Sequence, residues 1–165
     1  MTFIGSYSPV FVFPVSVLAW TAGLALALAL AALYFHYVRP VALGPLERPR
    51  PWALATYGAC VVGEVALIAV GSNALAAAGR SELRPALIAA VVGLHFLPFA
   101  WAFRERMFRY LGWTVAGLGG AGLLAGAVGI PHAAEASAVL AGLALLSFVV
   151  AYARGRFAPS VSGAH

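Results

Sequence analysis

Hydrophobic residues in this chain occur in long runs, separated by short segments that contain prolines and arginines. A helix needs about 20 predominantly apolar residues to cross the hydrocarbon core of a bilayer. Five runs have about this length and predict membrane-spanning helices at residues 12–37, 52–76, 85–103, 108–130 and 136–153. The expected fold is an all-α integral membrane protein, a bundle of five transmembrane helices that forms a single membrane domain over residues 1–165.

The segments at the ends of these runs support the same division. Four prolines at positions 40, 45, 49 and 51 follow the first run, and proline interrupts a helix because it lacks a backbone N–H. No basic residue occurs among residues 1–10, so the first run is expected to be a retained span and not a cleaved signal peptide. The small, polar tail at residues 154–165 is expected to be disordered.

The basic residues predict the orientation in the membrane. All ten are arginines, and eight of them fall in residues 39–51, residues 104–109 and the tail. Only Arg80 and Arg84 fall in the loops of the opposite side, and cytoplasmic loops are generally the positively charged ones. The N-terminus is therefore expected outside and the C-terminus in the cytoplasm, in a plasma membrane or a bacterial inner membrane. Interfacial aromatic residues agree, since seven lie at the predicted inner ends: Tyr34, Tyr37, Trp52, Trp101, Tyr110, Trp113 and Tyr152.

Composition excludes several classes of protein. The chain is 63% hydrophobic and 9% charged, whereas soluble domains are about 25% charged. The net charge of +5 comes from arginines in short gaps, where lipid headgroups are the expected contacts, and no segment is long enough to form a nucleic-acid surface. The bilayer is the expected partner, with a homo-oligomer or a larger membrane complex as further possibilities.

The second and third predicted spans each carry one ionisable residue near the middle. Glu64 is about 18 Å along the second span, near the bilayer centre, and His95 is in the third span. An ionisable residue at membrane depth is costly, and it is by default a candidate functional site. Because a short loop joins the two spans, we expect the helices to be neighbours and the side chains to interact directly or through one water molecule. This site is a candidate for binding a ligand or ion.

Helical periodicity places Tyr57 on the same face as Glu64, so Tyr57 is the third candidate ligand-binding or ion-binding residue. An alternative interpretation assigns Glu64 a purely structural role. In that case the carboxyl group is protonated, bonds to a backbone carbonyl or a hydroxyl group, and holds helices together.

Glycines are concentrated in the fourth span. Gly122 and Gly126 form a GxxxG pattern, and Gly112, Ala116 and Gly120 form a second row of small residues. Small residues allow helices to approach closely, either within the bundle or between two copies of the chain. Gly112, Gly122 and Gly126 are therefore the predicted helix-packing positions.

No sequence pattern indicates a cofactor, a metal site or catalytic residues. The single cysteine, Cys60, excludes an intrachain disulfide and a thiolate metal cluster. His36, His95 and His132 lie at different depths, which argues against paired haem ligands. No nucleophile–histidine–acid set or phosphate-binding loop is present, which makes a membrane enzyme the least favoured class.

Two classes of function remain. The first is a small membrane protein of transport, permeation or ligand-binding type, with a polar site around Glu64 and His95. The alternative is a non-catalytic structural or accessory subunit of a membrane complex, in which Glu64 only stabilises helix packing. Water access to Glu64 distinguishes them, because only the first class requires it.

Overall fold

The computed structural model describes residues 2–7, 13–36, 51–103, 105–154 and 156. All regular secondary structure within these residues is helical, and a 3₁₀ turn at Ser81–Leu83 precedes the fourth helix. The α-helices are α1 (Thr2–Tyr7), α2 (Phe13–His36), α3 (Pro51–Ala77), α4 (Arg84–Ala102), α5 (Arg106–Ala127) and α6 (Ala133–Ala153). The proline-rich connection after α2, and almost all of the tail predicted to be disordered, lie outside the described residues.

The all-helical architecture is confirmed. The ends of α2 to α6 agree with the five predicted spans to within about one helical turn. Four helical segments of the described residues are long and apolar enough to cross a membrane: Pro14–Leu33, Ala55–Ala77, Ser81–Ala102 and Ala133–Ala153. These four segments suggest a membrane protein.

Helix α5 differs from the other four long helices in composition. It has 22 residues, enough to cross a bilayer, but it is not among the four strongly apolar segments. Its many glycines and its two arginines, Arg106 and Arg109, lower its mean hydropathy. It packs against both α4 and α6.

Three helices form the centre of the bundle. Helix α4 packs most extensively on α5, and α6 packs on both. Helix α3 packs on the outer side of α4, whereas α1 and α2 pack on α6. One cluster of buried residues joins the three central helices and consists of Ala89, Leu111, Val115 and Ala141. A second cluster, Leu83, Ala86 and Ala134, lies at the end where α4 and α6 begin.

Backbone contact between α4 and α5 explains the small residues there. A Cβ added at Gly93 would lie 2.1 Å from the backbone nitrogen of Ala116, and one at Gly119 would lie 2.2 Å from that of Ala90. Only glycine allows such an approach, and small residues of this kind let two helices pack closely.

The turns at one end of the bundle are closed by glycine and by Arg80. Gly79 and Gly129 end α3 and α5 with φ angles of 68° and 88°, a left-handed conformation that glycine adopts without strain. The Arg80 guanidinium donates to the carbonyls of Gly126 (2.9 Å) and Ala127 (3.3 Å). These are carbonyls of the last turn of α5, where a cation is favourable. Arg80 thereby holds the α3–α4 turn against the end of α5.

Helices α2 and α3 leave most of their apolar surface uncovered. No residue of the apolar segment of α3 is buried, and Val62, Val65 and Val70 are all more than three-fifths exposed. Leu18 and Leu28 of α2 are exposed to a similar degree. Large contiguous apolar surfaces are rare on soluble monomers, whereas contact with lipid tails removes their cost.

Candidate functional site

Glu64 and His95 form a hydrogen-bonded pair between neighbouring helices. Glu64 lies at the middle of α3, His95 lies on the adjoining face of α4, and Oε2 of Glu64 is bonded to Nδ1 of His95. The side chains are 19% and 15% exposed, respectively. The short connection through Gly79 and Arg80 brings α3 back against α4 in antiparallel fashion, which places the two groups side by side. The pair is largely shielded by protein but is not sealed.

Aromatic rings surround the histidine. The centre of the His95 ring lies 4.6 Å from that of Phe99, in an edge-to-face arrangement, and 5.0 Å from that of Phe96. Phe96 and Phe99 follow His95 on α4, so one helical turn supplies both the titratable group and its apolar surroundings. These rings limit the positions that the imidazole can adopt and keep it directed at the carboxyl group.

Tyr57 packs against Phe99 of the neighbouring helix. Its ring stacks on Phe99 at 5.5 Å, its side chain is about half exposed, and its hydroxyl group bonds to no other described residue. Tyr57 is two helical turns from Glu64, a separation of about 10 Å along the helix axis, which is too far for direct bonding. Its assignment as a ligand-binding residue stays a prediction, and it belongs to the pocket described next.

A cavity of about 440 Å³ lies beside the Glu64–His95 pair and is called the aromatic pocket below. Five aromatic side chains and one carboxylate line it: Tyr57, Phe96, Phe99, Phe103, Phe108 and Glu105. Sequence reasoning missed this pocket. The available signal was the helical spacing of Phe96, Phe99 and Phe103, which places Phe96 and Phe99 on one face of α4 and Phe103 directly after its end on the same side. Phe108 joins them only because α5 folds back across α4.

The three predicted helix-packing glycines all face other parts of the bundle. A Cβ at Gly112 would lie 3.0 Å from the carbonyl oxygen of Gly93. A Cβ at Gly122 would lie 2.1 Å from Oγ of Ser137 on α6, and one at Gly126 would lie 2.4 Å from a methyl group of Leu83. These glycines therefore serve contacts within the chain.

A second cavity, of about 360 Å³, opens at the opposite end of the bundle, between the α3–α4 and α5–α6 turns. Arg80, Glu82, His132 and Glu135 contribute its polar lining. Arg80 is bonded to Glu82 and to the end of α5, and these bonds stabilise the turn. No group of three or more histidine, cysteine, aspartate or glutamate side chains in the described part of the chain is arranged to hold a metal ion.

The fold and the site together define a class: a helical bundle with four strongly apolar helices and an ionisable pair between two of them. No protein-family model, curated protein or solved structure matches this chain.

Proposed function

We propose that this chain is a small multi-spanning membrane protein of transport, permeation or ligand-binding type, in which Glu64 and His95 bind and release a proton. One observation carries the proposal: two ionisable side chains, on two adjacent apolar helices, are hydrogen-bonded to each other and only partly exposed. Intramembrane acid and histidine residues in such arrangements are typical of proton-handling sites.

The chemistry of the pair supports reversible protonation. When the two groups hold one exchangeable proton between them, the pair is net neutral, either as imidazolium and carboxylate or as neutral imidazole and carboxylic acid. Removing that proton leaves one negative charge. Burial disfavours net charge, and the hydrogen bond between the groups offsets part of the cost of keeping them polar. Entry of water into the site would reduce this cost and would therefore shift the balance from the neutral, protonated pair towards the negatively charged, deprotonated pair.

The proposed topology has five crossings with the N-terminus outside. The contacts of α5 support its inclusion among the crossing helices. Gly112 lies next to Gly93 and Leu97. Gly126 lies next to Leu83, at the other end of α4. Helix α5 thus runs antiparallel along nearly all of α4. If α4 crosses the bilayer, α5 returns through the same thickness despite its lower hydropathy.

The structural alternative assigns the pair a packing role in an accessory subunit. A hydrogen bond between two helices stabilises a bundle whether or not a proton is exchanged. The two functions differ in a measurable way, because a packing role requires no change in protonation at Glu64 under conditions in which the fold persists.

Infrared difference spectroscopy between acidic and alkaline buffer tests the proposal in lipid-reconstituted protein. We expect a carboxylic acid C=O band from Glu64 that disappears in Glu64→Gln and shifts in His95→Gln, because the histidine is its bonding partner. Glu135→Gln is the matched control, since Glu135 lies at the start of α6 and far from the pair. Proton flux into dye-loaded proteoliposomes should be lost in Glu64→Gln and retained in Glu135→Gln.

Two results would contradict proton exchange. One is the absence of any Glu64-dependent infrared band over the full range of pH in which the protein stays folded. The other is proton flux equal to that of protein-free liposomes together with wild-type stability in Glu64→Gln. Either result favours the accessory-subunit alternative.

A further inference from the structure

The aromatic pocket has a definite chemical character. Its walls are ring faces and ring edges: Phe96 and Phe108 stack at 6.0 Å with an angle of 7°, and Phe99 meets Phe108 edge to face at 6.0 Å. Phe103 adds a further edge-to-face contact with Phe99 at 5.6 Å. Faces of aromatic rings carry partial negative charge, and several rings around one space attract cations.

Glu105 is the only acidic residue among the described residues that line this pocket. It immediately precedes α5 in an extended conformation, with φ −96° and ψ 118°, and its carboxylate caps no backbone N–H of the helix. The side chain is half-buried and makes no ion pair or hydrogen bond with any described residue. A carboxylate in this position has the capacity to accept a charged partner.

Two arginines of the described residues lie close to Glu105 along the chain, at positions 106 and 109. Arg106 and Arg109 are exposed, and neither lines the cavity. The Arg109 guanidinium instead lies over the ring of Tyr110, 5.7 Å from its centre. The Glu105 carboxylate would repel an anion in the pocket and attract a cation.

We propose that the aromatic pocket binds a lipophilic organic cation, with its charge directed at Glu105 and its hydrocarbon groups against the rings. The volume of about 440 Å³ falls in the range of about 300–1,000 Å³ of small-molecule sites. Because the hydrated charge of an inorganic cation fits poorly among phenylalanines, bulky substituents on the cation are required. The inference rests on this pocket alone and holds whether or not Glu64 exchanges protons.

Two ions of the same shape and opposite charge test the proposal. Tetraphenylphosphonium and tetraphenylborate differ in charge but hardly in size, so their comparison isolates electrostatics. Binding is measured by equilibrium dialysis against protein in lipid nanodiscs, and binding to empty nanodiscs is subtracted. We expect saturable binding of tetraphenylphosphonium and no saturable binding of tetraphenylborate.

Variants identify the groups responsible. Glu105→Gln should weaken tetraphenylphosphonium binding by about tenfold, the factor that corresponds to 1.4 kcal/mol. Phe103→Leu, at the exposed rim, should weaken it several-fold, because an apolar group of similar bulk lacks the ring charge distribution. Glu135→Gln should leave it unchanged, since Glu135 does not line the pocket.

Saturable binding of both ions with equal affinity, or an affinity for tetraphenylphosphonium that Glu105→Gln does not alter, would overturn the proposal. The pocket would then be an uncharged apolar site. Absence of saturable binding of either ion by folded wild-type protein would also overturn it. None of these results affects the infrared test of Glu64, so failure of one proposal is distinguishable from failure of the other.

Discussion

Glu64 and His95 satisfy each other's hydrogen-bonding groups between two apolar helices. An unpaired polar group in an apolar environment costs about 1–3 kcal/mol, and this cost exceeds the small net gain from a hydrogen bond. Truncating one partner therefore harms more than replacing both with apolar side chains. The hydrogen bond joins α3 to α4, and Glu64 is the only acidic residue of α3.

A double-mutant cycle measures this coupling. We expect Glu64→Leu and His95→Leu each to lower the free energy of unfolding by about 1–3 kcal/mol, because each leaves a buried polar group unpaired. The double variant should lose less than the sum, with a coupling of order 1 kcal/mol. Thermal unfolding in detergent, followed by circular dichroism, provides the measurement. Strictly additive losses would mean that the hydrogen bond contributes no stability.

At the scale of elements, helix α5 presents two different glycine faces. Gly112, Gly119, Gly122 and Gly126 face α4, α6 or the α3–α4 turn, and a Cβ at any of them would meet a neighbouring atom within 3.0 Å. Gly117 and Gly120 have no atom of another element within 4 Å of an added Cβ. The row of Gly112, Ala116 and Gly120 predicted from the sequence is therefore divided, because an added Cβ would clash at Gly112 but not at Gly120.

Alanine substitutions distinguish the two faces. Gly119→Ala should destabilise the fold by about 1–3 kcal/mol, because its Cβ would meet the backbone of α4, which cannot move aside easily. Gly117→Ala is the matched control and should be neutral or stabilising by up to about 1 kcal/mol, because alanine favours the helix. Melting temperatures in detergent report both effects.

Larger substitutions extend the same argument to the GxxxG pair. Gly122→Leu and Gly126→Leu should both lower the melting temperature, since Ser137 and Leu83 occupy the space that the side chains require. If Gly119→Ala and these variants all melt with the wild type, α5 does not pack on α4 and α6 as described.

At the scale of the whole molecule, α2 and α3 lie at opposite edges of a core made by α4, α5 and α6. Their exposed apolar surfaces and the arginine-rich ends agree with a bundle whose outer helices face lipid. Whether α5 crosses the membrane determines the side on which the C-terminus lies, because four crossings and five crossings end on opposite sides.

Cysteine labelling from one side of sealed vesicles decides the topology. In a Cys60→Ala background, Ser6→Cys and Ser81→Cys should react from outside. Ser6 precedes the first span on that side of the membrane, and Ser81 lies in the connection between the second and third spans on the same side. Ser160→Cys should react only from the cytoplasmic side, as an odd number of crossings requires. Labelling of Ser160→Cys from the outside would indicate four crossings, and cytoplasmic labelling of Ser6→Cys would overturn the proposed orientation.

Features encoded over short stretches of sequence were predictable without the structure. Long apolar runs specify helices because a helix satisfies its own backbone polar groups, and prolines and glycines mark the ends. The neighbouring positions of Glu64 and His95 followed from similar depth on two spans joined by a short turn. Helix α1 was missed because six residues carry too little periodicity, and its contact is with α6, far along the chain.

Only the tertiary structure decided which faces meet. Tyr57 shares a helix face with Glu64, but axial distance separates them, and packing against Phe99 places Tyr57 in the aromatic pocket instead. That pocket combines residues of α3, α4 and α5, so it depends on the angle and closeness at which these helices cross. Backbone contacts at Gly93 and Gly119 set that closeness. A periodic sequence shows which residues share a face of one helix, but it does not contain the distance to the next helix.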